Sequence, residues 1–191
     1  MTSITINLII KNPGKLLAAK NAFSKYGILI NQINKEFPEI QADTSLEIAK
    51  YTAIQAAKEF KMPMIREDHS MFINALGIPG PYANFIEKHL PVEKLLKILK
   101  TQKDRSGYME VATVFAEPNG FTLEYMYKVP IYFENKINIP DPKNGWSGII
   151  RLANETRTLT EYPEEERVNI WNKNYISIAE FLIKNKEKYL K

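Results

Sequence analysis

The apolar positions fall into two periods along the chain. Ile4-Thr5-Ile6-Asn7-Leu8-Ile9-Ile10 alternates and then turns fully apolar, which predicts an entering strand. Asn12-Pro13-Gly14 is a turn signal. From Lys15 to Tyr26, Leu16, Leu17, Ala19, Phe23 and Tyr26 recur at helical spacing, and a short strand is expected around Ile28 to Ile33. Thr44-Ser45-Leu46-Glu47 has the form of a capping box, in which the threonine accepts from the third helical amide and the glutamate reaches back. The helix behind it puts Leu46, Ala49, Ala53, Ala56, Ala57 and Phe60 on one face, and Met62-Pro63-Met64-Ile65 reads as the next strand. This β-α-β-α-β order predicts a parallel or mixed sheet covered by helices.

The middle of the chain has a different texture. Leu76 to Tyr82, with Gly77, Pro79, Gly80 and Pro81, reads as a rigid loop, and Pro91 to Leu99 as a short helix with Val92, Leu95, Leu96 and Leu99 inward. Two long strands follow, alternating over Met109–Phe115 and Phe121–Val129 around the hairpin signal Asn119-Gly120. They predict a β-rich second lobe. A single helix from about Pro163 to Tyr189 closes the chain, with a proline and three glutamates suited to its N-terminus. No internal repeat or linker interrupts this order, so 1–191 reads as one domain.

Composition narrows the function. With 45% apolar residues, the 191-residue chain can bury a sizeable core. The net charge of +4 suits an anionic substrate, but Lys and Arg are scattered, so no nucleic-acid partner is expected. The absence of cysteine excludes disulfides, thiolate-held zinc and thiol catalysis. No apolar run approaches the ~20 residues of a membrane span, and Met1-Thr2-Ser3 leads straight into a strand, leaving no signal peptide. A cytoplasmic protein without a membrane partner is the expectation.

Four features can carry chemistry. Asn12 and Lys15 stand between a strand and a helix, where backbone amides and one lysine make an anion site. Glu39 follows Phe37-Pro38, and Glu67-Asp68 are read as lying straight after a buried strand, where ligands of open α/β sheets bind. Converging carboxylates can hold magnesium and take a proton from water. Asn144-Gly145-Trp146 lies in a Pro- and Gly-rich loop, from which a tryptophan can stack on a base or plug the core edge. Each feature alone also has an ordinary structural explanation. His69 and His89 cannot by themselves form a metal cage.

In order, Asn12-x-x-Lys15, Pro38-Glu39-Ile40-Gln41, Glu67-Asp68, Asn74 through Tyr82 and Gly145-Trp146 resemble the inosine/xanthosine triphosphate pyrophosphatase family. The resemblance is densest from Pro38 to about Pro118. It implies a two-lobed inosine-triphosphatase-like α/β fold with a long mixed central sheet flanked by helices. It also implies a homodimer and magnesium-dependent cleavage of a nucleoside triphosphate to monophosphate and pyrophosphate. By the same resemblance Asn12 and Lys15 hold phosphates, Glu39 and Asp68 hold Mg2+, Asp68 orients or deprotonates the water, and Trp146 lines the base pocket.

The chain departs from the family pattern at several positions. Ile10 replaces a Thr or Ser, Ala18 a glutamate, Thr52 a phosphate-binding lysine and His69 a Ser or Thr. Ser147-Gly148 stand where the family has Asp-Pro, Trp171-Asn172-Lys173 where it has the purine-reading Ser-His-Arg, and Arg167 where it has lysine. Asn172 and Lys173 are therefore the candidates for the remaining base contacts. The departures imply altered or relaxed base choice. They also keep open a non-catalytic nucleotide-binding relative, acting as a sensor or dimer partner.

Overall fold

The computed structural model describes residues 4–143 and 145–189, so the Met1-Thr2-Ser3 start and Asn144 lie outside the described residues. The elements in chain order are β1 (Thr5–Ile9), α1 (Pro13–Ser24), β2 (Leu29–Ile33), α2 (Ser45–Phe60), β3 (Met64–Ile73), β4 (Ile78–Gly80), α3 (Ala83–His89) and α4 (Val92–Leu99). They continue with β5 (Ser106–Ala116), β6 (Thr122–Phe133), β7 (Ile150–Leu152), a 3-10 turn at Leu159–Glu161, α5 (Glu164–Ile170), α6 (Lys173–Lys184) and α7 (Lys186–Tyr189). The strands form one mixed sheet in the order β2-β1-β3-β5-β6-β7, with β4 added to β3. β1 pairs in parallel with β2 and β3, while β3–β4 and β6–β7 are antiparallel.

The chain divides into two compact units. The first holds Met1–Asp68, Val111–Tyr127 and Val168–Lys191, and the second His69–Glu110 and Lys128–Arg167. In the first unit the sheet is covered on both faces, as parallel strands require. Ile6, Leu8 and Ile10 pack with Ala18, Ala22, Phe23, Tyr175 and Ile178 under α1 and α6. Ile9, Met64, Val114 and Ala116 pack on the other face against Ala49, Ala53, Ala56 and Ala57 of α2. Small alanines let that helix approach the sheet closely. Its capping box is formed, with Thr44 Oγ1 accepting from the Glu47 amide and Glu47 Oε2 accepting from the Thr44 amide, both at 3.2 Å.

In the second unit Leu95 and Leu99 are buried beneath α4. Arg105 is buried and donates to the carbonyls of Phe133 at 2.7 Å, Leu99 at 2.9 Å and Glu134. One guanidinium thus ties the end of α4 to the end of β6 through three carbonyls. Gly107 has no substitute, because an added Cβ would stand 2.3 Å from the Phe72 carbonyl oxygen.

Four readings of the sequence are corrected. The strand expected at 62–65 runs from Met64 to Ile73, so Glu67 and Asp68 lie inside it and not after it. The polar run Arg66 to Ser70 concealed the continuation. Within the expected loop 76–82, Ile78–Gly80 is a strand that pairs with Met71–Ile73, and Gly77 turns the chain at φ 68°. The helix α3 was not foreseen. The closing helix is three helices, broken at Trp171-Asn172 and at Asn185. There, Asn172 uses its amide on Asn21 and Asn169 side chains and makes no cap of α6.

Candidate functional site

The candidate site of the first unit begins where β1 ends, beside Arg66-Glu67-Asp68 inside β3. These strands are parallel neighbours with Ile9 opposite Arg66, so the segment 10–12 leaves the sheet beside Arg66-Glu67-Asp68. Asn12 caps α1, its side-chain oxygen accepting from the amides of Gly14 at 2.9 Å and Lys15 at 3.2 Å. Pro13 occupies the first helical position, where its missing N–H costs nothing. The helix therefore starts two residues before the expected Lys15.

Lys15 turns its ammonium toward Glu67, with Nζ 3.9 Å from Oε1. The Glu67 side chain is 0% exposed and that of Lys15 21%. At that distance the pair is a charge attraction and not a hydrogen bond. Two tyrosines stand near the same carboxylate. Burial, and then the negative charge of Glu67, push the hydroxyls of Tyr175 and Tyr127 above the ordinary tyrosine range. Tyr127 donates to the Ile170 carbonyl at 2.8 Å, and Lys173 lies 5.5 Å from its ring centre.

Strand alternation separates the acids. Ile65 packs on the α1–α6 face and Met64 on the α2 face. Glu67 therefore belongs to the first face, and Arg66 and Asp68 to the second. Arg66 Nη2 lies 3.3 Å from Oε1 of Glu39, whose side chain is 72% exposed on the segment after β2. Among the described residues no group of three or more His, Asp and Glu side chains is placed to hold a metal ion. Magnesium keeps several waters and is commonly held by one or two carboxylates plus substrate phosphates. Glu39 and Asp68 fit that partial role, and they do not form a cage of their own.

The structure thus places Asn12, Lys15, Glu39, Asp68, Asn172 and Lys173 in the first unit and Trp146 in the second. Trp146 is 1% exposed. Its backbone amide donates to Glu87 Oε1 at 3.0 Å and its indole N–H to the Leu90 carbonyl at 2.8 Å. Both bonds belong to packing within that unit, the plug reading of this tryptophan. Sequence reasoning missed Arg66, Tyr127 and Tyr175. Arg66 could have been found as the one cation inside a strand-like run; the tyrosines gave no local signal.

Three departures from the family pattern are buried. Ala18 and Ile10 are buried members of the α1–α6 cluster. Thr52 is 2% exposed, and its hydroxyl has no hydrogen-bond partner among the described residues.

The sequence profile described as the Ham1 family matches residues 6–174. The chain belongs to the Ham1 family. A protein named dITP/XTP pyrophosphatase from Methanopyrus kandleri is 30% identical over 167 residues, covering 83% of this chain and 85% of its own. One of the same name from Saccharolobus solfataricus is 30% identical over 189 residues, covering 97% of each. Among solved structures, the Ham1 protein of Staphylococcus aureus aligns with TM-score 0.77 at 20% identity, over 95% of this chain and 99% of that one. The HAM1 protein of Coxiella burnetii aligns with TM-score 0.77 at 19% identity, over 95% and 99%. The expected family and its mixed α/β fold are therefore those of this Ham1 chain.

Proposed function

We propose that this Ham1 protein is a nucleoside triphosphate pyrophosphohydrolase, working as one pyrophosphatase-like domain over 1–191 and acting on purine nucleotides with relaxed base choice. The observation that carries the reading is the Lys15–Glu67 pair at the N-terminus of α1. A buried acid holds a phosphate-seeking cation where strand ends and helix amides already favour anions. Asn12 fixes that helix start, and Lys15 takes the triphosphate. Asp68, next along β3 and on the face opposite Glu67, aligns or deprotonates the attacking water. Glu39 and Asp68 would hold Mg2+ together with the phosphates, and the ion would supply charge neutralisation. To help hold the ion, Glu39 would give up its contact with Arg66. Asn172 and Lys173 are the proposed base-side contacts of the first unit. Trp146, buried in the second unit, speaks for a packing plug more than for a stacking surface.

The dITP/XTP pyrophosphatase names of the relatives support the reaction class. The homodimer rests on the resemblance; no described helix is long and apolar enough to cross a membrane. Pyrophosphate release from a panel of nucleoside triphosphates, with and without magnesium, tests the reading. A non-catalytic nucleotide-binding relative is the second reading, favoured by Thr52, whose buried hydroxyl offers a phosphate no charge. Tight nucleotide binding with no pyrophosphate released would establish it.

A further inference from the structure

Arg66 stands inside a sheet strand of the first unit, a costly place for a guanidinium. It lies in β3 beside Glu67, opposite Ile9 of β1, and shares the α2 face with Asp68. Its side chain is 17% exposed, so most of it is out of water. A guanidinium in that setting needs acceptors, and Arg66 meets only part of the need. Nη2 lies 3.3 Å from Glu39 Oε1, longer than the roughly 2.7–2.9 Å of a charge-assisted bond. Nε is buried and has no acceptor among the described residues. Nε and Nη2 belong to one edge of the planar group, the edge that meets a carboxylate or phosphate with two parallel bonds. In Arg66 that edge carries one long contact, to an acid whose own side chain is 72% exposed. An ion pair with so exposed a partner contributes little and exchanges readily.

We propose that Arg66 is a phosphate-binding residue: its Nε–Nη2 edge rests on Glu39 in the free protein and turns to two oxygens of the polyphosphate when the nucleotide binds. This rests on the proposed triphosphate site of the first unit. Glu39 serves as the resting partner, and its carboxylate is released as the phosphate takes the arginine. A phosphate offers both prongs an acceptor and carries more charge than a carboxylate, so the exchange favours it. The polyphosphate then meets two cations of the first unit, Lys15 beside Glu67 and Arg66 beside Glu39. The charge of Arg66 is already felt at that centre. Burial, and then Glu67, push the Tyr175 hydroxyl up, and Arg66 opposes them.

The test uses inorganic pyrophosphate without magnesium as the probe and reads its Kd by calorimetry in the full chain. Arg66→Gln is expected to weaken binding at least about tenfold, the scale of a lost hydrogen bond between charged groups. Arg66→Lys keeps the charge without the fork and is expected to stay at least about threefold weaker than the parent. Glu39→Gln frees the edge and is expected to tighten binding about two- to fivefold, the scale of one exposed ion pair. In the double variant, Glu39→Gln with Arg66→Gln, that gain is expected to vanish, because the freed arginine is gone. Parental Kd in Arg66→Gln or Arg66→Lys overturns the proposal. So does a gain from Glu39→Gln that persists without Arg66, since it then reports only the loss of a negative charge. If Arg66→Gln does not fold, Glu39→Gln, at an exposed position, still decides: no gain in it overturns the proposal. Triphosphate turnover separates this result from the functional reading. A parent that binds pyrophosphate through Arg66 but cleaves no triphosphate upholds the phosphate contact and ends the enzyme reading. Cleavage by a parent that binds no pyrophosphate, or binds it regardless of Arg66, keeps that reading and overturns the proposal.

Discussion

The two units treat their acids differently. In the first, Glu67 is buried inside β3, against Lys15 at a capped helix start, with Tyr127 and Tyr175 in its field. In the second, Glu87 and Asp141 are like charges facing each other around a loop whose cohesion is backbone hydrogen bonding and close glycine packing. A buried acid with a cation beside it defines one geometry firmly. Around the loop, Glu87 accepts from the Trp146 amide and Asp141 from the Lys143 amide, with no cation bonded to either acid among the described residues. In the first unit the family pattern survives at Asn12, Lys15, Glu39 and Asp68 and is lost at Ala18 and Thr52; in the second it survives from Asn74 to Tyr82 and changes at Ser147-Gly148.

Changes in the first unit are expected to be the most damaging. Asp68→Asn should lower triphosphate hydrolysis at least ~100-fold, the usual scale of a lost general base; parental turnover in that variant removes Asp68 from the mechanism. Lys15→Ala should cost about 10- to 100-fold in kcat/KM, since a phosphate cation acts in ground and transition states alike. If the loss is no larger for the triphosphate than for a neutral nucleoside competitor, Lys15 does not hold phosphates. Base discrimination should be weak. Inosine over guanosine or adenosine triphosphate is expected below about tenfold in kcat/KM, roughly 1.4 kcal/mol, because Lys173 cannot offer the two-pronged donor of an arginine. A preference of ~100-fold or more would show that other residues read the purine oxygen. The smallest effect is on stability. The folded state raises the Glu87 carboxyl, so it binds that proton more tightly than the unfolded chain. Its contribution is present below the unfolded value and lost as pH rises through the folded one. Glu87→Gln should therefore melt about 1–2 °C higher than the parent at pH 7 and equally at pH 4. A lower melt at pH 7 reverses that assignment.

Much of the first unit was legible in sequence because its signals are local. The apolar alternation of Ile4 to Ile10, the Thr44–Glu47 box and the alanine face of α2 each specify their element within a few residues. The continuation of β3 was hidden because Arg66-Glu67-Asp68-His69 reads as a polar loop, yet Ile65, Glu67, Ser70, Met71 and Ile73 are all buried. Tertiary surroundings tolerate those polar groups; local propensity cannot report it. The break at Trp171-Asn172 was concealed for the converse reason, since good helix formers flank it and no glycine or proline marks it. At the site, the motif residues were found by order and spacing. The neighbours Tyr127 and Tyr175 were not, because they come to Glu67 from about 60 and 108 positions away, a proximity that only the fold creates.

The account turns on whether Lys15, Glu67 and Asp68 form a triphosphate-cleaving centre. Its most direct test is quantitative pyrophosphate release from inosine and xanthosine triphosphates with magnesium, comparing the parent chain with Asp68→Asn. The account predicts one pyrophosphate and one monophosphate per triphosphate consumed by the parent, and at least ~100-fold slower release by the variant. Release of inorganic phosphate in place of pyrophosphate, or equal rates for the two proteins, would contradict it.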